Sequence, residues 1–245
     1  MTRRGVLALS ATGVASFPLV ACARRFPTYR YRMTVEVETP QGLRSGSSVI
    51  EVSTSGGGPT SGLLPWTEVN SDVRGEAVAV DVARGRTLFA LLKSASGDID
   101  AAMSYAGASL PPSIWRASES AFAENLAELV SRRDVGVLPI PAHGDEIPKS
   151  GVPSKPFPLL VTFRDVRDPK SVERVDPANL AATFGRGVAL RRITVEITDA
   201  SVTKQIEKRL GWLERSAYGG LDLTSERTGA PTFAQQLGFL DFRRK

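Results

Sequence analysis

Apolar residues recur along this chain at two spacings, one suited to strands and one to helices. In "RYRMTVEVETPQGLRSGSSVIEVST", residues 30–54, Met33, Val35 and Val37 alternate with Thr34, Glu36 and Glu38. A period of two predicts a strand with one buried face. Pro40-Gln41-Gly42 supplies a turn, and Val49, Ile50 and Val52 resume the extended pattern, so the stretch reads as a hairpin. "RGEAVAVDVARGRTLFALLKS", residues 74–94, predicts a second hairpin, with Val78, Val80 and Val82 toward the core and Ala77, Ala79 and Asp81 on the other side. Its return arm, Thr87 to Leu92, is almost continuously apolar, which predicts a central place in a sheet. Further strands are predicted at 157–163 and 188–198.

Helical spacing appears in "ASESAFAENLAELVSRR", residues 117–133, where Phe122, Leu126, Leu129 and Val130 share a face. Ser118 can cap its start, Glu119 suits the first turn, and Arg132-Arg133 suit the last. A short helix is predicted within 98–107. "VDPANLAATFG" predicts another, with Asp176 as cap, Pro177 at the first position and Gly185 as terminator. "SVTKQIEKRLGWLE" predicts an amphipathic helix with Val202, Ile206, Leu210 and Leu213 inward. The expected fold is α+β: a mainly antiparallel sheet of about six strands with three to four packed helices. Residues 30–245 are expected to form one domain, with a Pro/Gly-rich loop at 137–158 and an irregular tail at 214–245. The segment "TSGGGPTSG" is a loop, and no Gly-Lys-Ser/Thr follows to make it a phosphate cradle. "RMTVEVET" (32–39) and "RITVEITD" (192–199) echo each other; two edge-like strands under the same alternation account for this better than a duplication does.

The first 21 residues break these patterns. Arg3 and Arg4 precede an uncharged run, residues 5–21, that is apolar to small and interrupted by Ser10, Thr12, Gly13, Ser16 and Pro18. That describes a secretory signal and a poor membrane span. Thr2-Arg3-Arg4-Gly5-Val6-Leu7 looks like a twin-arginine export signal, although paired arginines also occur in ordinary basic leaders. The chain's single cysteine follows at once. Leu19-Val20-Ala21-Cys22 resembles the lipobox of bacterial lipoproteins, in which Leu19 and Ala21 help the peptidase recognise the site and the Cys22 thiol takes the lipid. Residues 22–29 then form a short linker of roughly 25 Å at full extension. Arg24 and Arg25 can rest against anionic headgroups.

Charge narrows the partners. The formal net charge is +5, with 31 basic and 26 acidic residues. Both signs are mixed along the chain, so nucleic acid is not an expected partner. The only histidine, His143, lies in a proline-rich stretch beside Asp145 and Glu146 without the other ligands a metal would need; no metal or other cofactor is expected. The densest charge cluster is "FRDVRDPKSVERVDP", residues 163–177, where Asp165 and Asp168 follow a strand. Paired carboxylates could do acid–base work, but Asp168-Pro169 also opens a turn and the interleaved arginines can neutralise the acids. Trp66, Trp115 and Trp212 read as packing residues; Arg74, Arg84 and Arg86 could form a small basic patch that alternation alone does not assemble.

The blocks "FPTYRYRMTVEVETPQGLRSGSSVIEV", "RGEAVAVDVARGRTLFALL", "PLLVTFRDVRDPKSVERVDPANLAATFG" and "LRRITVEITDASVTKQIEKRLGWL" together resemble a group of uncharacterised bacterial envelope proteins bearing a lipoprotein signal or a single membrane segment. The resemblance covers most of residues 26–213 and implies shared fold and location, with no activity attached. The expectation is a protein lipid-anchored at the periplasmic face. Ala23 after the cysteine leans it toward the outer membrane. It is expected to bind a protein or envelope component and not to be an enzyme. The alternatives are a small hydrolase using Asp165 and Asp168, or an immunity or inhibitor lipoprotein.

Overall fold

A computed structural model describes residues 27–56, 69–83, 85–109, 122–141, 156–214, 219–222 and 230–245. It contains ten strands: β1 (Tyr29–Thr39), β2 (Gly42–Gly56), β3 (Val69–Glu76), β4 (Val78–Ala83), β5 (Arg86–Ser94), β6 (Gly136–Leu138), β7 (Pro158–Phe163), β8 (Val172–Arg174), β9 (Ala189–Ile197) and β10 (Arg243–Arg244). They form a six-stranded sheet ordered β10-β3-β2-β1-β9-β6 and a four-stranded sheet ordered β4-β5-β7-β8. Every pairing is antiparallel.

This overturns the α+β expectation. The fold is dominated by two antiparallel sheets, and the four helices among the described residues are short: α1 (Tyr105–Ala108), α2 (Phe122–Ser131), α3 (Ala181–Phe184) and α4 (Phe239–Phe242). The sheets, not helices, cover one another. β4 lies across β1 and β2, and Tyr31, Met33, Val35, Val37, Ile50 and Val52 of the large sheet meet Val78, Val80, Val82, Leu88, Ala90 and Leu92 of the small one. Their approach is close enough to require Gly46, where a Cβ would stand 2.1 Å from the Ala79 carbonyl oxygen.

The small sheet is buried on its second face too. Phe89, Leu91, Leu159, Val161 and Phe163 pack beneath Ile206, Leu210, Trp212, Leu213, Leu221, Leu237 and Phe242. That explains the continuous apolar runs of β5 and β7: both of their faces are dry. Leu221, Ala234, Leu237 and Phe242, from the described part of 214–245, join residues 206–213 in this outer layer, and the same part contributes α4 and β10.

Two expected helices shrink for local reasons. Asp176 caps a turn, accepting the Ala178 N–H at 2.8 Å, and helical geometry begins only at Ala181 before Gly185, at φ +101°, ends it. Residues 201–214 form two 3-10 turns, Ile206–Lys208 and Gly211–Glu214. Ile206, Leu210 and Leu213 are buried as expected, but the backbone before them is extended. Thr203 continues the sheet along β2, donating its N–H to the Val49 carbonyl (3.2 Å) and accepting the Val49 N–H on its hydroxyl (2.8 Å). The expected helix within 98–107 divides into a 3-10 turn, Ala101–Met103, and α1. The buried hydroxyls of Tyr29 and Tyr31 donate to the carbonyls of Met103 and Ala102 and clamp this segment to the core. Burial pushes both phenols well above their ordinary pKa of 10.0.

The two echoing segments pair with each other. Thr34 faces Thr194, with Arg32 opposite Glu196 and Glu36 opposite Arg192. An Arg-x-Thr-x-Glu strand is complementary to an antiparallel copy of itself, so the echo reflects pairing. Neither strand is at an edge, contrary to the expectation.

Candidate functional site

Asp165 and Asp168 stand in the tight turn that joins β7 to β8. Asp165 accepts the Arg167 N–H at 3.0 Å, and Asp168 accepts the Lys170 N–H at 2.9 Å as cap of the 3-10 turn Pro169–Ser171. The Ser171 hydroxyl bridges the carbonyls of both, at 2.8 and 2.7 Å. Arg164 pairs with Glu173 at 3.0 Å. Both aspartates are exposed, and they hold a turn rather than line a pocket. Arg3, Arg4, Leu19, Ala21, Cys22, Trp66, Arg84, Trp115 and His143 lie outside the described residues. Trp212 is 9% exposed, donates its indole N–H to the Val166 carbonyl at 3.0 Å, and meets Phe163, Phe239 and Phe242 edge-on.

A polar cleft among the described residues lies elsewhere, where β3 parts from β2. Its floor is a row across three strands: Arg30 of β1 pairs in register with Glu51 of β2, which pairs with Arg74 of β3. Beyond Arg74, β3 leaves β2 to meet β10, with Arg243 opposite Glu76 and Arg244 opposite Gly75. The vacated edge of β2 is taken by Thr203. Residues 201–207 therefore form one wall and β3 with β10 the other, enclosing about 620 Å³.

Glu76 fastens the two walls together. It is 4% exposed, and its carboxylate accepts the N–H groups of Gln205 (2.8 Å) and Ile206 (3.0 Å). β10 is held by the turn before it: Asp241 in α4 accepts the Gly238 N–H at 2.8 Å and lies 3.8 Å from the Lys93 ammonium. Burial raises the Asp241 pKa above its ordinary 3.8, while the Gly238 N–H and Lys93 oppose the rise.

The cleft is lined by Arg30, Arg74, Lys204, Arg243, Arg244 and Lys245 against Glu51, Glu76 and Glu207. Each carboxylate is engaged by the protein. Glu51 accepts the Arg30 Nε–H at 2.7 Å, Glu76 binds backbone, and Glu207 pairs with Arg243 and stands 3.9 Å from Lys245. Arg244 donates to Asp100 and to the Ile99 carbonyl. Arg74 has only a loose contact, 3.9 Å, with Asp72, and no carboxylate among the described residues comes within 4.0 Å of Lys204. Ser201 and Thr203 also line the cleft. Such a site attracts anions.

Sequence reasoning named Arg74 within a possible patch with Arg84 and Arg86. Arg86 instead stacks over the Phe184 ring at 5.4 Å on another part of the molecule. Lys204 and the basic run 243–245 carried no signal of a shared site, since the pairing of β10 with β3 and the bonds of Thr203 and Gln205 to β2 and Glu76 are what bring them to the cleft. Among the described residues no group of three or more His, Cys, Asp or Glu side chains could hold a metal ion, and no helix is long and apolar enough to cross a membrane. Comparison with protein-family models, curated proteins and solved structures gives no match.

Proposed function

We propose that this chain is a lipid-anchored protein of the bacterial envelope that binds an envelope component at the basic cleft, and that it does so without catalysis. Cys22 carries the lipid after cleavage behind Leu19-Val20-Ala21, and Arg3-Arg4 direct export. The periplasmic face, at the outer membrane by the residue after the cysteine, is the proposed location. The supporting observation is the position of Arg30. This residue of the cleft floor lies eight positions beyond Cys22, so at most about 29 Å of extended chain separates it from the acylated sulfur. The cleft then opens within reach of the bilayer surface.

Mass spectrometry of the native product tests the anchor: an acylated Cys22 at the mature N-terminus is expected, and an intact Met1 or a bare thiol overturns it. Capture from detergent-solubilised envelope tests the site. An envelope component retained by the acylated protein and lost from its Arg74→Ala/Lys204→Ala variant is expected; equal recovery by both argues against the cleft.

A further inference from the structure

The cleft's charge, size and wall chemistry define what it can hold, and we infer that it binds a phosphate ester of headgroup size. This deepens the proposed function and rests on it for the ligand's source. Six cationic side chains face three carboxylates, and all three carboxylates are already engaged by guanidinium, ammonium or backbone N–H groups. The excess positive charge is concentrated in Arg74, whose contact with Asp72 is loose at 3.9 Å, and in Lys204, which has no carboxylate within 4.0 Å among the described residues. An anion seated between them meets a guanidinium fork from one side and an ammonium from the other, with hydroxyl donors from Ser201 and Thr203. The Thr203 oxygen already accepts the Val49 N–H, which leaves its proton for the ligand. Guanidinium groups match phosphate oxygens in bidentate geometry, and a phosphate accepts more such bonds than a carboxylate does.

The cleft has room for more than a bare ion. The volume, about 620 Å³, falls in the range of about 300–1,000 Å³ typical of small-molecule sites. Val202 is the one aliphatic residue in the lining, and the hydrocarbon stems of the arginines and lysines supply further apolar surface between the charged heads. The charged and hydroxyl groups of the lining suit the phosphate and hydroxyls of a glycerophosphate or sugar-phosphate headgroup, and the stems suit its carbon skeleton. Ligands of this chemistry come from two sources, anionic phospholipids of the adjoining membrane and free phosphate esters.

Calorimetric titration of the full acylated protein in neutral detergent separates them. Short-chain phosphatidylglycerol, glycerol 1-phosphate, inorganic phosphate and short-chain phosphatidylcholine are the titrants. Phosphatidylglycerol or glycerol 1-phosphate is expected to bind, with affinity falling as salt rises. Loss of two charge-assisted contacts in Arg74→Ala/Lys204→Ala should weaken binding by roughly tenfold or more. Both residues are exposed, so the unfolding temperature of the variant should match wild type, and Arg167→Ala, at the remote β7–β8 turn, should bind normally. Tighter binding of the lipid assigns the source to the membrane; equal or tighter binding of glycerol 1-phosphate assigns it to solution. Binding of inorganic phosphate alone, equal binding of phosphatidylcholine, indifference to the double variant, or no binding overturns the inference. Because Cys22 acylation is measured separately, an acylated protein that binds none of these leaves the anchor standing and removes only the phosphate site.

Discussion

Single residues set the spacing of this molecule. Gly46 allows β2 to touch the backbone of β4, and an added methyl there would press on the Ala79 carbonyl, which cannot rotate away. Gly46→Ala should cost about 1–3 kcal/mol, read as a lowered denaturant midpoint. Glu76 is a buried carboxylate whose partners are backbone N–H groups. Glu76→Ala would leave the Ile206 N–H without its acceptor and detach the wall of the cleft. A loss of about 2–4 kcal/mol is expected, with faster amide exchange at Gln205 and Ile206. Asp241 runs the other way. Its pKa is raised in the folded state, so its contribution to stability is fully present below the unfolded value and is lost as pH rises through the folded one. Asp241→Asn keeps an acceptor for Gly238 and cannot ionise. The variant should match or exceed wild type in unfolding temperature at neutral pH, and that difference should shift toward wild type as acid protonates the carboxyl.

At the scale of elements, the cross-strand partners of the echo can be tested directly. Arg192 forks onto Glu36 with two contacts of 2.9 Å, which holds the Glu36 carboxyl below its usual range. Glu36→Arg should destabilise, Arg192→Glu likewise, and the double swap should recover part of the loss. As a surface pair the coupling should be small in a double-mutant cycle and should fade as salt is added. Strands were legible wherever burial wrote itself into spacing: Met33, Val35 and Val37 face one core, and the unbroken run of β5 follows from cover on both sides. Residues 201–214 misled because Ile206, Leu210 and Leu213 satisfy helical spacing and two successive 3-10 turns alike. The deciding partner, Glu76, lies 129 positions away. The cleft was illegible for the same reason. Arg30, Arg74, Lys204 and Arg243 come from four separate segments; the registers of β1, β2, β3 and β10 join three of them, and the bonds of Thr203 to Val49 and of Gln205 to Glu76 bring in Lys204.

The whole molecule is three layers, and the outermost depends on an aromatic cluster. Phe242 is fully buried against Phe89, Phe163 and Trp212. Phe242→Ala should cost about 3–5 kcal/mol and also loosen β10, which follows it directly. The phosphate affinity of this variant should fall together with its stability, whereas Arg74→Ala/Lys204→Ala should lose affinity alone.

β1 occupies the middle of the large sheet, yet one of its two flanks belongs to β9, and the outer side of β5 and β7 stays wet until Phe242 arrives. A nascent polypeptide must carry these sticky surfaces bare until the segment around Phe242 has been made. Contacts so distant in sequence also slow the final collapse, toward milliseconds to seconds on the general trend. Such a topology makes late closure the hazard of this fold: until β9 and the Phe242 segment dock, bare strand edges and apolar faces are open to wrong partners.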